Sequence, residues 1–147
     1  MTMKVPPEAF KYFKERKQQI HMGELLAPIC AMLKWPHLMM NESAIFYIDN
    51  MGVLCNIVNG ASRAEDASTL IFALHLRLAK LNAKCWWEWV ESESNCSDGG
   101  SRVGTLCPLA ADLGIPLVEH AFPSIPANFQ HMLPEAWESW WEVQQIP

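Results

Sequence analysis

Three carboxylates in different local settings are the residues of this chain best suited to do chemistry. Glu24 opens a helix-like segment, Asp49 ends an apolar strand-like run, and Asp98 lies in a polar turn rich in Ser, Asn and Gly. Mg²⁺ prefers such oxygen ligands, and proteins usually hold it with one or two carboxylates and a substrate phosphate. Two ions roughly 4 Å apart can activate a water and stabilise a leaving oxygen. The three residues therefore indicate magnesium-dependent cleavage of a phosphodiester.

Alternating helices and strands must bring these carboxylates together. Apolar periodicity predicts strands over 44–49 and 84–90, and helices over about 23–34, 51–59, 65–81 and 105–113. The first strand is apolar almost throughout, which predicts burial on both of its faces. The order predicts a parallel strand pair joined by a right-handed crossover, and ligands in α/β folds bind at the carboxyl ends of such strands. Asp49 lies at one such end, and Asp98 follows the other strand.

Two groups of tryptophans need an interpretation of their own. The second strand carries Trp86, Trp87 and Trp89, which we expect to pack in the core rather than to stack on bases. The segment 134–143 carries a second group with the i, i+3, i+4 spacing of a helix face, made up of Trp137, Trp140 and Trp141. This second group favours packing on the same domain or on a partner.

The bulk composition indicates one globular domain inside the cell. The chain has 147 residues, half of them apolar, and no apolar stretch long enough to span a bilayer. The N-terminal segment lacks the apolar core of a secretory signal, and five widely separated cysteines without a C-x-x-C pair are typical of reduced thiols. We therefore expect an intracellular protein, cytoplasmic or nuclear, with no membrane partner. The net charge of −5 argues against simple electrostatic attraction to nucleic acid.

Three blocks of this sequence resemble the ribonuclease H domain of retroelement polyproteins, especially domains that lie next to a reverse transcriptase. The segment from Ile20 to Ala27 resembles the family's helix I-x-x-x-E-L-x-A, and the segment from Tyr47 to Asn50 resembles its strand-end block. The segment from Trp89 to Arg102 resembles the family's loop V-P-S-x-x-N-x-A-D-x-x-S-R. The matched region covers about residues 18–104, and the three blocks occur in the family's order.

The resemblance implies an α/β fold of the ribonuclease H-like class and two-metal hydrolysis of the RNA strand of RNA–DNA hybrids. The catalytic residues and ligands of two Mg²⁺ (or Mn²⁺) ions would be Glu24, Asp49 and Asp98. The residues that contact the substrate or shape its loop would be Asn50, Asn95 and Arg102. The implied partners are an RNA–DNA hybrid or other nucleic acid, and a reverse transcriptase domain in a longer parent chain.

The chain departs from the family pattern at its N-terminal end. The family's domain opens with three antiparallel strands, the first of which carries an aspartate that bridges both ions. In this chain no aspartate precedes Asp49, and nothing before Glu24 resembles such strands. We therefore expect residues 1–104 to form an N-terminally truncated ribonuclease H-like core that lacks the first three strands. Residues 105–147 would form a C-terminal extension that packs on this core.

The sequence leaves open whether the chain is an enzyme, because it offers three of the four carboxylates that the family uses. The alternative is a catalytically inactive remnant that acts as a nucleic-acid-binding or protein-interaction module. Loss of the first strands would leave an exposed sheet edge, which invites self-association unless the aromatic C-terminal segment covers it. The carboxylates also have a purely structural interpretation, since Glu24 suits a helix dipole and the two aspartates suit turns. His21, one helical turn before Glu24, is interpreted as a surface or core histidine rather than a metal ligand.

Overall fold

The computed structural model describes residues 2–16, 19–96 and 108–143 of the chain. The strands are β1 (Thr2–Met3), β2 (Ser43–Ile48), β3 (Lys84–Trp89) and β4 (Glu119–His120). The α-helices are α1 (Ile20–Lys34), α2 (Pro36–Met39), α3 (Met51–Asn59), α4 (Glu65–Lys80), α5 (Pro108–Asp112) and α6 (Pro134–Val143). Short 3₁₀ helices cover Pro7–Tyr12, Ser92–Ser94 and Phe129–His131. The predicted bounds of β2, β3, α3 and α4 are right to within one residue.

β2 and β3 form a parallel pair, which confirms the predicted arrangement of these strands. The register runs from Ser43 beside Lys84 to Ile48 beside Trp89. On the inner face, Phe46 and Trp87 stack with their ring centroids 4.7 Å apart, and both rings pack against the hydrophobic core. A two-stranded sheet is stable only when such a face is packed on other elements, and here that face lies on the helices.

The outer face of this strand pair is exposed, so the prediction that β2 is buried on both faces is wrong. Ile45, Tyr47 and Trp86 expose 58%, 61% and 65% of their surface. Successive side chains of a strand point to opposite faces, and an apolar run cannot by itself show which of the two faces is covered. The core position expected for the strand tryptophans holds for Trp87, which is half-buried, and is wrong for Trp86 and for Trp89, which is 46% exposed.

α1 begins at Ile20, three residues before the predicted start. Met22 in its first turn has no exposed surface, and this burial offsets the low helix propensity of Gly23. The earlier start places Pro28 in the helix interior, where it cannot donate the helical hydrogen bond to the carbonyl of Glu24. The helix continues through this proline because its apolar face is buried, including Leu25, Leu26, Ile29, Met32 and Leu33.

α3 follows β2 almost directly and is capped at both ends. The Asn50 Oδ1 atom accepts hydrogen bonds from the backbone N–H groups of Gly52 and Val53, at 3.0 and 3.2 Å, which is the usual N-cap arrangement. Gly60 ends the helix with a φ of 71°, a conformation that glycine adopts without steric cost. α3 then packs on both strands, and α4 packs on α1, so that the helices cover the inner face.

α6 packs on α4 through its tryptophans. Trp137 and Trp141 are each 1% exposed, and the guanidinium carbon of Arg77 lies 5.3 Å from the centre of the Trp141 ring. Lys80 Nζ adds a salt bridge of 3.0 Å to Glu138. The tryptophan face of this helix therefore packs on the same chain, and it leaves the outer face of β2 and β3 exposed.

The described thiols occupy different environments. Cys30 is buried, and burial raises the pKa of its thiol to about 12. Burial also raises the pKa of the half-buried Cys85, whereas Cys55 and Cys96 are exposed. None of these four cysteines forms a disulfide.

No helix in the described ranges combines the length and the apolar character needed to cross a bilayer. Among the described residues before Glu24, the only strand is the two-residue β1, which pairs with β4 rather than with β2.

Candidate metal site at the end of the strand pair

Asp49 lies where the sequence predicts, one residue beyond the carboxyl end of β2. Its side chain is half-buried, so part of it reaches solvent. The next residue, Asn50, turns the chain into α3 by capping that helix. Local sequence therefore fixes Asp49 at the junction of a strand and a helix, which is where α/β folds bind ligands.

Glu24 lies in the second turn of α1, and this part of α1 is packed beside the start of α3. The ring of His21, one turn before Glu24, lies so close to Gly52 that a Cβ added there would be 3.6 Å from His21 Cε1. Asn56 Nδ2 also donates a 3.2 Å hydrogen bond to His21 Nε2. The structure therefore brings the start of α1 next to the turn that follows Asp49. Glu24 is half-buried, and its Oε2 atom is buried.

The remaining predicted site residues are only partly accounted for. Asn50 uses its side-chain oxygen as a helix cap. Asn95 is half-buried and directly follows the 3₁₀ turn Ser92–Ser94. Asp98 and Arg102 lie outside the described residues.

The donor set at this end of the strand pair suits Mg²⁺ in type, because carboxylate oxygens are hard ligands. Within the described ranges, however, no three His, Cys, Asp or Glu side chains lie close enough to hold a metal ion. That part of the chain contains two of the three predicted ligands, Glu24 and Asp49. The convergence of all three carboxylates stays a prediction.

His21 has a specific hydrogen-bond partner in this region, which its interpretation as a surface or core histidine does not predict. Since Asn56 donates to Nε2, the ring proton of the neutral imidazole lies on Nδ1. Burial and the positive charge of Arg16 lower the pKa of His21, and the nearby charge of Asp66 offsets this only in part. The helical spacing of His21 and Glu24 places both on one side of α1, but the sequence offers no sign of the partner, Asn56.

Asp66, in the first turn of α4, is a fully buried carboxylate that no motif of the sequence marks as special. Both of its oxygens accept hydrogen bonds from the Arg16 guanidinium, and the backbone N–H groups of Lys14 and Ala67 add bonds of 2.8 and 2.9 Å. Burial alone would raise the pKa of Asp66, but these hydrogen bonds and the Arg16 charge hold it below its usual value. Asp66 therefore fastens the segment before α1 to the start of α4.

Comparisons with protein-family models, with curated proteins and with solved structures gave no significant match for this chain.

Proposed function

We propose that this chain is a retroelement-derived ribonuclease H-like module that hydrolyses the RNA strand of RNA–DNA hybrids with two Mg²⁺ or Mn²⁺ ions. The observation that best supports the proposal is the position of Asp49 at the carboxyl end of a parallel strand pair, with the Glu24 end of α1 packed beside it. The order of the blocks that resemble the family adds support. A reverse transcriptase domain in a longer parent chain would be the natural partner of such a module.

In this proposal Glu24, Asp49 and Asp98 hold the ions, which would supply an activated water and neutralise charge on the phosphate. Asn50 offers the substrate its Nδ2 donor, because its Oδ1 atom already caps α3. Asn95 and Arg102 belong to the loop that carries Asp98. A guanidinium there is suited to bind a phosphate in bidentate fashion.

Cleavage of a labelled RNA–DNA hybrid in the presence of Mg²⁺ or Mn²⁺ tests this function. We expect the unmodified chain to cleave the RNA strand, and Asp49→Asn to lose at least about 100-fold in rate because a metal ligand is lost. Glu42→Gln is the matched control, since this exposed carboxylate lies just before the opposite end of β2 and its loss should leave the rate unchanged. Absence of cleavage in every version would contradict the proposed activity.

A second function is favoured by one specific observation, the exposed outer face of β2 and β3 with Ile45, Tyr47 and Trp86. Exposed apolar surface of this kind marks interaction sites, as expected of an inactive remnant that serves as a binding module. A chain that cleaves no hybrid but binds hybrid or protein through Trp86 would support this function. Quenching of tryptophan fluorescence, compared between the unmodified chain and Trp86→Ala, measures such binding.

A further inference from the structure

The outer face of the parallel strand pair consists of Ser43, Ile45 and Tyr47 on β2, and of Lys84, Trp86 and Glu88 on β3. Its three large side chains are more than half exposed. Parallel strands are almost always covered on both faces, and no element of the described ranges covers this one. The outer face therefore has the exposed apolar character of a surface that another molecule covers.

Charge is arranged symmetrically on the outer face. Lys84 and Glu88 lie two residues before and two residues after Trp86 on the same strand, about 7 Å to either side of it along β3. A second copy turned end for end would place its Glu88 over Lys84 and its Lys84 over Glu88. Trp86 would then lie over Trp86, so the charges of the face complement themselves.

The shape of the outer face is also complementary to itself when a second copy is turned end for end. The end of the face near Lys84 carries the small Ser43, which lies beside Lys84 in the register, whereas the other end carries Tyr47 beside Glu88. An open depression of about 400 Å³ lies at the Ser43 end, lined in part by Ile45 and Trp86. In the end-for-end arrangement, the Tyr47 ring of one copy faces the depression of the other.

We propose that two copies of this chain associate face to face through the outer face. The twofold axis would lie parallel to the sheet, above Ile45 and Trp86, and would cross both strands at right angles. Isologous contacts of this kind are the commonest way in which identical chains associate. The contact covers the face of the sheet, and differs from pairing along an exposed sheet edge. The proposal is independent of whether the chain cleaves nucleic acid.

Charge favours a second copy over nucleic acid as the occupant. Glu88 Oε2 accepts a 2.9 Å hydrogen bond from Trp86 Nε1, which places a carboxylate beside the largest ring of the face. A phosphate backbone stacked there would meet that negative charge. A second copy instead brings Lys84 to the same carboxylate.

The interface is small, so we expect a weak dimer. Two six-residue strands offer less surface than the roughly 800 Å² per partner of a standard interface. Contacts below the standard size are typical of transient complexes, so we expect a dissociation constant on the order of micromolar rather than nanomolar. The equilibrium should therefore be visible by sedimentation velocity between about 5 and 500 µM chain.

Charge variants on the outer face test the twofold arrangement by sedimentation velocity, with circular dichroism as the check of folding. Lys84→Glu and Glu88→Lys each turn two attractive contacts into two repulsive ones, so each variant alone should dimerise about tenfold more weakly. The double swap Lys84→Glu with Glu88→Lys should restore the dimer. An equimolar mixture of the two single variants should form a heterodimer.

A chain that stays monomeric up to the highest concentration would overturn the proposal. A dimer that both single variants leave unchanged would do so as well, because association would then use another surface. Failure of the double swap to restore a dimer that the single variants weaken would exclude the twofold arrangement. Quenching of Trp86 by an oligonucleotide, in a chain that does not dimerise, would identify nucleic acid as the occupant.

Discussion

At the scale of single residues, the pair of Asp66 and Arg16 holds the segment before α1 against the start of α4. Their carboxylate and guanidinium meet through two hydrogen bonds, although fifty residues separate them along the chain. Asp66 is fully buried, whereas the Arg16 side chain keeps 23% of its surface exposed. A charge buried in this way is tolerated only with its partner in place, so the pair specifies one path for residues 14–16.

Replacing Asp66 with alanine should lower the free energy of unfolding by about 3 kcal/mol, because Arg16 loses its partner and the Lys14 N–H loses its acceptor. Urea unfolding measures this difference. Glu65→Ala is the matched control, since that neighbouring carboxylate forms an exposed salt bridge of 3.0 Å to Lys14 Nζ. Its loss should change stability by no more than about 0.5 kcal/mol. Equal losses in the two variants would contradict the role assigned to Asp66.

The environment of His21 predicts a dependence of stability on pH. The pKa of His21 is lower in the folded chain than its unfolded value of about 6.5, so the unfolded chain binds the proton more tightly. This contribution to stability is fully present above about pH 6.5, and it is lost as the pH falls from there toward the folded pKa. The depressed pKa of Asp66 acts in the same direction in a lower window, below about pH 3.9.

Urea midpoints measured between about pH 7.5 and 5.5 exclude Asp66, which is charged throughout that range, and the comparison with His21→Gln separates His21 from the other four histidines. We expect the midpoint to fall with pH in the unmodified chain and to fall less in His21→Gln, which keeps a polar side chain near Asn56. A pH dependence that is identical in both versions would show that His21 is not its source.

At the scale of elements, the chain uses its tryptophans in two opposite ways. α6 buries Trp137 and Trp141 against α4, whereas β3 exposes Trp86. Tryptophans spaced i, i+3, i+4 lie on one face of a helix, so the sequence indicates that this face of α6 packs against another element. The alternation of a strand sends neighbouring aromatics to both faces, and only the tertiary structure decides which face is covered.

Trp141→Ala should therefore destabilise the chain by about 4 kcal/mol, through the cavity it leaves and the lost contact with Arg77. Trp86→Ala removes the same atoms from an exposed position and should cost less than about 1 kcal/mol. Chemical unfolding of both variants at a low chain concentration, where association is negligible, gives the comparison. A larger loss in Trp86→Ala than in Trp141→Ala would contradict the packing described for α6.

At the scale of the whole molecule, the sequence predicts local features well and long-range contacts poorly. The bounds of α3 follow from Asn50 and Gly60, the two residues that directly flank the helix and cap its ends. The start of α1 depends instead on the burial of Met22, which no local signal shows. The pairing of Asp66 with Arg16 cannot be inferred from their types alone, because neither lies in a recognisable motif.

The candidate site divides in the same way. The position of Asp49 at a strand end, and of Glu24 near the start of a helix, follows from periodicity. The contacts of His21 with Asn56 and Gly52 depend on how two helices pack, and one sequence does not determine that packing. The proposed function accordingly requires a cation to bind at the end of the strand pair.

Nuclear magnetic resonance of the ¹⁵N-labelled chain titrated with Mn²⁺ locates this cation, because the ion broadens the amide signals nearest to it. We predict that signals around Glu24 and Asp49 broaden first, that Mg²⁺ reverses the effect, and that Asp49→Asn abolishes it. Broadening that instead follows the exposed acidic side chains of α6, or that persists unchanged in Asp49→Asn, would contradict a metal site at the end of the strand pair.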